Sequence, residues 1–483
     1  MPRRRTRRPA VALVCLCVTT LLFAGCSGDD GKSAPVPPSP AQRDDGEVNR
    51  DDVNGDGHPD AVVNGWYKEP KPGGDWHNNR FVVLAAPGGP KPGDAFRLAE
   101  RYAKPDPRVT SSPITYDRST QFTGDLDDDG HADVVVRNLL SHPSGKYTPD
   151  QRIVWGDPDG LAGVTKLPAD VLPATAAGDF DGDGALDLLT LAEPGSEYDR
   201  KPQPATVLYG PLSRDGGAPR TTSTIDVGQQ GWVSVAHAVV GDFDGDGRDD
   251  LVAKSEYDEE DVRFEDDDMP EDVIDAVFYR GTPQGLKPAG AVPGITNQAD
   301  SQAPVGKPVA AGDFDGDGHA DILAQVGFSE AVAVYGSGEG PGRGRAAGDL
   351  GKLGVVSAAA VGDVNGDGYD DIATQSPGVD RRIGEVAVVL GGKDGLDPAR
   401  TVKIDRYTIG LGGSPEHEGD RDFFGWDLHI ADLDTDGRDE LLIGTFGFNK
   451  PRKDAGYWIL RGTKDGPSKT DHRFIKTKDF GEN

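Results

Sequence analysis

Seven copies of one nine-residue pattern, Asp-x-Asp/Asn-x-Asp-Gly-x-x-Asp/Glu, set the strongest limit on how this 483-residue chain can fold. The copies begin at Asp52, Asp125, Asp179, Asp242, Asp313, Asp363 and Asp432, at intervals of 50 to 73 residues. Length alone would divide such a chain into two or three domains. A binding loop used once needs no copies, whereas a self-similar period of this size marks a single repeat array.

Each copy sits in the same local setting. A short apolar segment precedes it, as in AHAVV at 236–240, and another follows, as in DLLTLA, DILAQV or ELLIGT. A third lies further on, as in GEVAVVLGG at 384–392 and GYWILRG at 456–462, and a less regular fourth, such as TVKIDRY at 401–407, usually precedes the next copy. These runs are short, rich in Val, Ile, Leu and Tyr, and bounded by Gly, Pro and Asp, which is the punctuation of strands. No stretch has a competing helical period. Three or four strands per unit and seven units predict an all-β, seven-bladed β-propeller, with an open stack of β-repeats as the rival arrangement.

The pattern itself gathers hard, charged oxygens around one point. The predicted ligands are Asp52, Asn54, Asp56 and Asp60; Asp125, Asp127, Asp129 and Asp133; Asp179, Asp181, Asp183 and Asp187; Asp242, Asp244, Asp246 and Asp250. The last three copies add Asp313, Asp315, Asp317 and Asp321; Asp363, Asn365, Asp367 and Asp371; and Asp432, Asp434, Asp436 and Glu440. Oxygen-only donors without His or Cys select Ca²⁺ over Mg²⁺, which tolerates irregular geometry poorly. Up to seven ions, mainly structural, are expected, because so many close carboxylates repel one another without a cation. Position 6 is Gly in every copy, as expected where the chain turns sharply and a Cβ would clash. Position 7 is expected to offer its backbone carbonyl and turn its side chain to solvent, while the apolar position 2 packs inward beneath the ion.

An EF-hand would run twelve residues to a Glu between helices, and dockerin motifs come as a close pair followed by helices. Here the fourth carboxylate is at position 9 and strands flank the loop. With its period of roughly 60 residues, and best of all in VGDVNGDGYDDIATQSPG followed by GEVAVVLGG, the pattern resembles the FG-GAP repeat of integrin α and of many bacterial surface proteins. That resemblance implies Ca²⁺ loops joining the first two strands of each blade on a lower face, with ligands approaching the opposite face. The first unit is thin, with only the polar EVNRDD before its loop, so ring closure is expected to draw on the C-terminal HRFIKTKDF at 472–480.

At the N-terminus, five arginines precede an apolar run that ends in Leu22-Phe23-Ala24-Gly25-Cys26. A basic segment followed by a run too short to span a bilayer reads as an export signal, and its end resembles a bacterial lipoprotein signal with Cys26 as the lipidated residue. The expected organisation is a signal at 1–25, a flexible Pro/Ser/Gly/Asp-rich tether at 26–47 and the propeller at 48–483. Cys15 and Cys17 lie in the leader and the third cysteine, Cys26, is the expected lipidation site, so the mature chain is expected to have no disulfide and no thiol chemistry. Removing the leader takes the formal charge from −31 to −36 by loss of its five arginines. Such a surface repels nucleic acid and anionic headgroups and suits cations. The protein is expected to be an exported monomer, either secreted or held at the outer face of the cytoplasmic membrane through its lipid alone.

The connections that do not repeat are the candidates for a partner. Trp66, Tyr67, Trp76 and Arg80 in the first unit and Lys450 and Arg452 in the seventh are predicted to form one aromatic and basic arc, because a closed ring makes those units neighbours. The acidic stretch at 255–275 would oppose it. Aromatics beside polar groups suit a cell-surface protein or glycan. The alternative is a secreted glycan lyase or hydrolase with a site built from upper-face loops. No nucleophile elbow, His-Glu-x-x-His or thiol supports it.

Overall fold

The computed structural model describes residues 51–68, 76–98, 121–141, 147–168, 170–192, 203–228, 234–256, 276–295, 306–326, 330–353, 359–376, 384–411, 424–445 and 455–482. Within them the strands form seven four-stranded sheets. The second blade runs Gln121–Gly124, Asp133–Ser141, Tyr147–Asp157 and Gly160–Lys166, and the third Ala174–Gly178, Asp187–Leu191, Gln203–Tyr209 and Thr221–Val227. The fourth is Ser234–Gly241, Asp250–Glu256, Ala276–Arg280 and Lys287–Ala291; the fifth is Gly306–Gly312, Asp321–Val326, Glu330–Val334 and Gly348–Lys352. The sixth is Ala359–Gly362, Asp371–Ser376, Glu385–Val389 and Val402–Ile404, and the seventh Leu428–Ala431, Glu440–Thr445, Gly456–Leu460 and His472–Lys476. Neighbouring strands in these six sheets are antiparallel, and the repeated loop joins the first strand to the second.

The core shows that the ring closes. Buried apolar residues fall into seven clusters, each filled by two consecutive blades. Leu126, Ile153 and Leu188 join the second to the third, for example, and Phe314, Leu323 and Val389 join the fifth to the sixth. The cluster containing Val63, Phe81, Leu442 and Tyr457 joins the seventh to the first. No blade buries both its faces alone, so stability is shared between neighbours.

First strands of adjacent blades lie against one another, as Ser234–Gly241 does with Ala174–Gly178 and Gly306–Gly312. Their small residues answer to that crowding. A Cβ on Gly178 would stand 2.6 Å from Val240, and one on Gly312 would stand 2.5 Å from Val361 of the next blade. The glycine that opens GDFDGDG is thus fixed by the neighbouring blade, not by its own turn.

The first blade differs. Its described strands are Ala61–Lys68, Trp76–Val83 and Ala95–Arg97, and Gly481–Glu482 adds in parallel beside the last of these. Closure does draw on the C-terminus, but not as the sequence suggests. His472–Lys476 is the fourth strand of the seventh blade, and the link is made by the residues after it. Phe480 meets Phe81 edge-on with ring centroids 5.5 Å apart, and the Tyr457 hydroxyl donates to the Asn64 carbonyl. No helix among the described residues is long and apolar enough to cross a membrane. Cys26 and the signal and tether assigned to residues 1–47 lie outside the described residues.

Candidate metal centres

The loop is shaped by its first carboxylate. In the third blade, Asp179 Oδ1 accepts from the Gly182 and Asp183 N–H groups at 2.8 and 3.1 Å, and Oδ2 accepts from Gly184 at 2.9 Å. Asp52, Asp125, Asp242, Asp313, Asp363 and Asp432 hold their loops in the same way. Wrapping of this kind needs left-handed backbone. Position 6 glycines have φ between 83° and 93°, whereas position 4 is Gly in five loops but Asp128 and Thr435, both at 61°, in the other two. A Cβ on Gly57, Gly184 or Gly318 would meet nothing within 4 Å. The expected clash is therefore absent, and backbone torsion alone demands glycine there.

Position 9 is a bracket. Asp321 Oδ2 accepts from the Phe314 N–H at 2.9 Å and Oδ1 from the Gly336 N–H at 2.8 Å, so one buried carboxylate ties the loop to the end of the third strand. Asp60, Asp133, Asp187, Asp250 and Asp371 repeat both bonds. Glu440, one methylene longer, reaches the Asp434 N–H instead of that of Leu433. Burial pushes all seven of these acids up to about 8 against the opposing pull of their N–H donors, and the neighbouring loop carboxylates push the same way. Burial likewise raises Asp52, Asp125, Asp179, Asp313 and Asp363 at position 1.

Position 3 is the unsatisfied point in this arrangement. Asp127, Asp181, Asp244, Asp315 and Asp434 are 2 to 11% exposed, and each has an Oδ1 with no hydrogen-bond partner. Buried oxygens without a donor are costly. In five loops, carboxylate oxygens of three residues lie within 4.8 Å of one another: Asp125, Asp127 and Asp133; Asp179, Asp181 and Asp187; Asp242, Asp244 and Asp246; Asp313, Asp315 and Asp321; Asp432, Asp434 and Glu440. Asn54 and Asn365 take position 3 in the other two loops, where each carbonyl oxygen accepts from the position 5 N–H of Asp56 or Asp367. Orphaned, converging oxygens fit a hard divalent cation. Position 2 meets its expectation, with Val53, Leu126, Phe180, Phe243, Phe314, Val364 and Leu433 all fully buried.

Sequence reasoning missed how the loops join one another. The position 8 N–H of each blade from the second to the seventh donates to the position 1 carbonyl of the blade before it, from Ala132 to Asp52 at 2.7 Å through Asp439 to Asp363 at 3.0 Å. Where position 8 is acidic the link doubles: Asp249, Asp370 and Asp439 accept from the N–H groups of Asp179, Asp313 and Asp363. Burial raises Asp370 to about 7 and Asp439 to about 8. Two of the three position 7 histidines also lean on neighbours instead of pointing to solvent. His131 covers Gly55, and His319 covers Gly245.

Residues 313–374 match the family model described as FG-GAP-like repeat. That match spans 62 of the 483 residues and takes in the carboxylate loops of the fifth and sixth blades. The chain is 26% identical over 280 residues to integrin alpha pat-2 of Caenorhabditis elegans, covering 56% of this chain and 18% of that protein. It is 35% identical over 95 residues to integrin alpha-IIb of Mus musculus, covering 19% of this chain and 8% of that protein. The chain thus spans less than a fifth of the length of these relatives. A mutant of AofleA from Arthrobotrys oligospora aligns over 74% of this chain and 87% of its own at 11% identity, but with a TM-score of 0.33 the likeness is slight.

The predicted partner arc fares differently from the loops. Trp66 and Tyr67 lie on Ala61–Lys68 and Trp76 on Trp76–Val83, with Tyr67 opposite His77 and Lys68 opposite Trp76, so they extend a hairpin instead of forming a loose loop. Arg80 does not belong to an accessible arc. It is 5% exposed, and its Nη2 donates to the Arg137 carbonyl of the second blade at 3.0 Å. Lys450, Arg452 and the acidic 257–275 lie outside the described residues.

Proposed function

We propose that the protein is an exported binding module, a propeller stiffened by up to seven structural Ca²⁺ ions that presents a cell-surface protein or glycan with the face opposite its carboxylate loops. The observation that carries the calcium reading is the orphaned position 3 oxygen, repeated in five loops and aimed among carboxylates that already satisfy the backbone. Positions 1, 3, 5 and 9 would supply the ligand oxygens, and the bound ion would supply the charge that permits all of them to ionise together. The likeness to integrin α proteins favours a protein partner, reached through the non-repeating connections flanked by Lys68, Trp76, Ser141 and Tyr147. Export through the N-terminal signal, anchoring at Cys26 and a tether at 26–47 complete this reading.

Melting with and without chelator tests the calcium claim. At a free Ca²⁺ of about ten times Kd, each filled site adds about 1.4 kcal/mol. Metal-stripped protein should therefore melt far below loaded protein, and equal melting would remove calcium from the account. The binding claim is tested by screening residues 48–483 against surface proteins and glycans. Retention lost on replacing Trp66 and Trp76 with Ala would support the partner face, whereas turnover of a polysaccharide would make the protein an enzyme.

A further inference from the structure

The five loops with Asp at position 3 share a feature that the two Asn loops lack: an arginine on the outer oxygen of that Asp. Arg220 pairs with Asp181 Oδ2 at 2.7 Å, Arg280 with Asp244 Oδ2 at 2.6 Å, Arg345 with Asp315 Oδ2 at 2.9 Å, and Arg461 with Asp434 Oδ2 at 3.2 Å. Arg214 pairs with Asp127 Oδ2. In every case Oδ1 is an orphan and Oδ2 is the atom facing the arginine, although Asp244 Oδ2 meets Arg280 as an ion pair without a hydrogen bond. Four of these arginines end the third strand of their own blade or follow it, the last residue of Ala276–Arg280 being one. The second blade has only residues 158 and 159 between its third and fourth strands, and Arg214 reaches its loop from the third blade instead. Position 3 of the other two loops is the neutral Asn54 or Asn365. Among the described residues no arginine meets either, and Arg400 stands 3.7 Å from Asp367 at position 5.

At position 3 the charges balance: an Asp loop adds a carboxylate and a guanidinium there and an Asn loop adds neither, while further arginines meet position 5 as Arg248 on Asp246, Arg438 on Asp436 and Arg400 on Asp367. We infer that Arg214, Arg220, Arg280, Arg345 and Arg461 are built-in counter-cations that hold the Asp loops together before an ion arrives and oppose the ion once it binds. This rests on the calcium reading above. The coupling is negative because guanidinium and divalent cation share the position 3 carboxylate, and Arg214, Arg220 and Arg461 also hold the position 5 carboxylate of their loops, so like charges are set close together and repel. Linkage makes it reciprocal: an arginine that stabilises the metal-free loop more than the loaded one must weaken the ion by the same factor. The arginines thereby set how much calcium the ring needs in order to stay folded.

Arg461 gives the cleanest test, since its side chain is 47% exposed and can be lost without emptying a core. Calcium titration and melting would be compared for wild type, Arg461→Gln and Arg461→Lys, each first stripped with chelator. Arg461→Gln should melt below wild type without metal, should recover that deficit in saturating Ca²⁺, and should bind at one site about fivefold more tightly. Arg461→Lys, which keeps the charge, should track wild type. Weakened binding in Arg461→Gln would mean that the arginine aims the carboxylate for the ion, and unchanged binding would make it a surface ornament; either overturns the inference while leaving calcium in place. A wild type that takes up no Ca²⁺ would overturn both.

Discussion

Asp321 does two things that the sequence could present only as one. The spacing marks position 9 as an oxygen donor, and in the fold its two oxygens are also the acceptors that pin Phe314 and Gly336. Asp321→Asn keeps the size but sets an amide N–H₂ against one of two backbone donors. That should cost about 2 kcal/mol, the usual penalty for an unsatisfied buried group, and the loss should appear in chelator as well as in Ca²⁺. A denaturation series in each buffer decides it: a deficit confined to Ca²⁺ would reduce Asp321 to a ligand. The nine-residue pattern made the acids, the position 6 glycines and the apolar position 2 legible because their roles recur at fixed spacing. It hid the second role of Asp321 because the Gly336 partner sits fifteen residues away, across a variable connection.

Between elements, legibility falls off in the same way. Strand existence and blade number could be read from the period, but the contacts that join blades use residues without one. Position 8 is Pro59, Ala132, Leu186, Asp249, Ala320, Asp370 and Asp439, and no pattern announces that its N–H reaches into the preceding blade. Arg80 looked like surface because charge usually is, yet the neighbouring blade covers it. The seam between the seventh and first blades is where this matters most. Pro59 has no N–H to give the Asp432 carbonyl, so the link present at the other six junctions is lost there. What remains includes the Ala86 to Leu433 and Gly88 to Asp434 bonds, together with the strap at 477–482. Phe480→Ala should therefore lower stability by about 2 kcal/mol, less than for a fully enclosed ring. Deleting residues 477–483 should lower it further and speed proteolysis near Asp51. A deletion as stable as wild type would show that the ring closes without its strap.

For the molecule as a whole, the seven position 9 acids would make calcium, bound as proposed, a switch of the pH dependence. In the metal-free fold burial holds them near 8, whereas an unfolded chain releases the same protons near the ordinary values of 3.8 for Asp and 4.5 for Glu. Between those limits the folded state binds more protons than the unfolded one, so raising pH destabilises it. A bound divalent cation favours the ionised form and moves these groups below their unfolded values, which reverses the sign: stability is then present at neutral pH and lost on acidification. The chain's net charge of −31 also favours the lower pH through general repulsion, but that part is screened once the Debye length falls to about 3 Å in about 1 M salt, while buried groups are not. Melting at high salt should therefore give a higher Tm at pH 5.5 than at pH 7.5 in chelator, and the opposite order in saturating Ca²⁺. The same order in both buffers would mean that the ion does not engage the position 9 carboxylates, and that they serve the fold as neutral brackets alone.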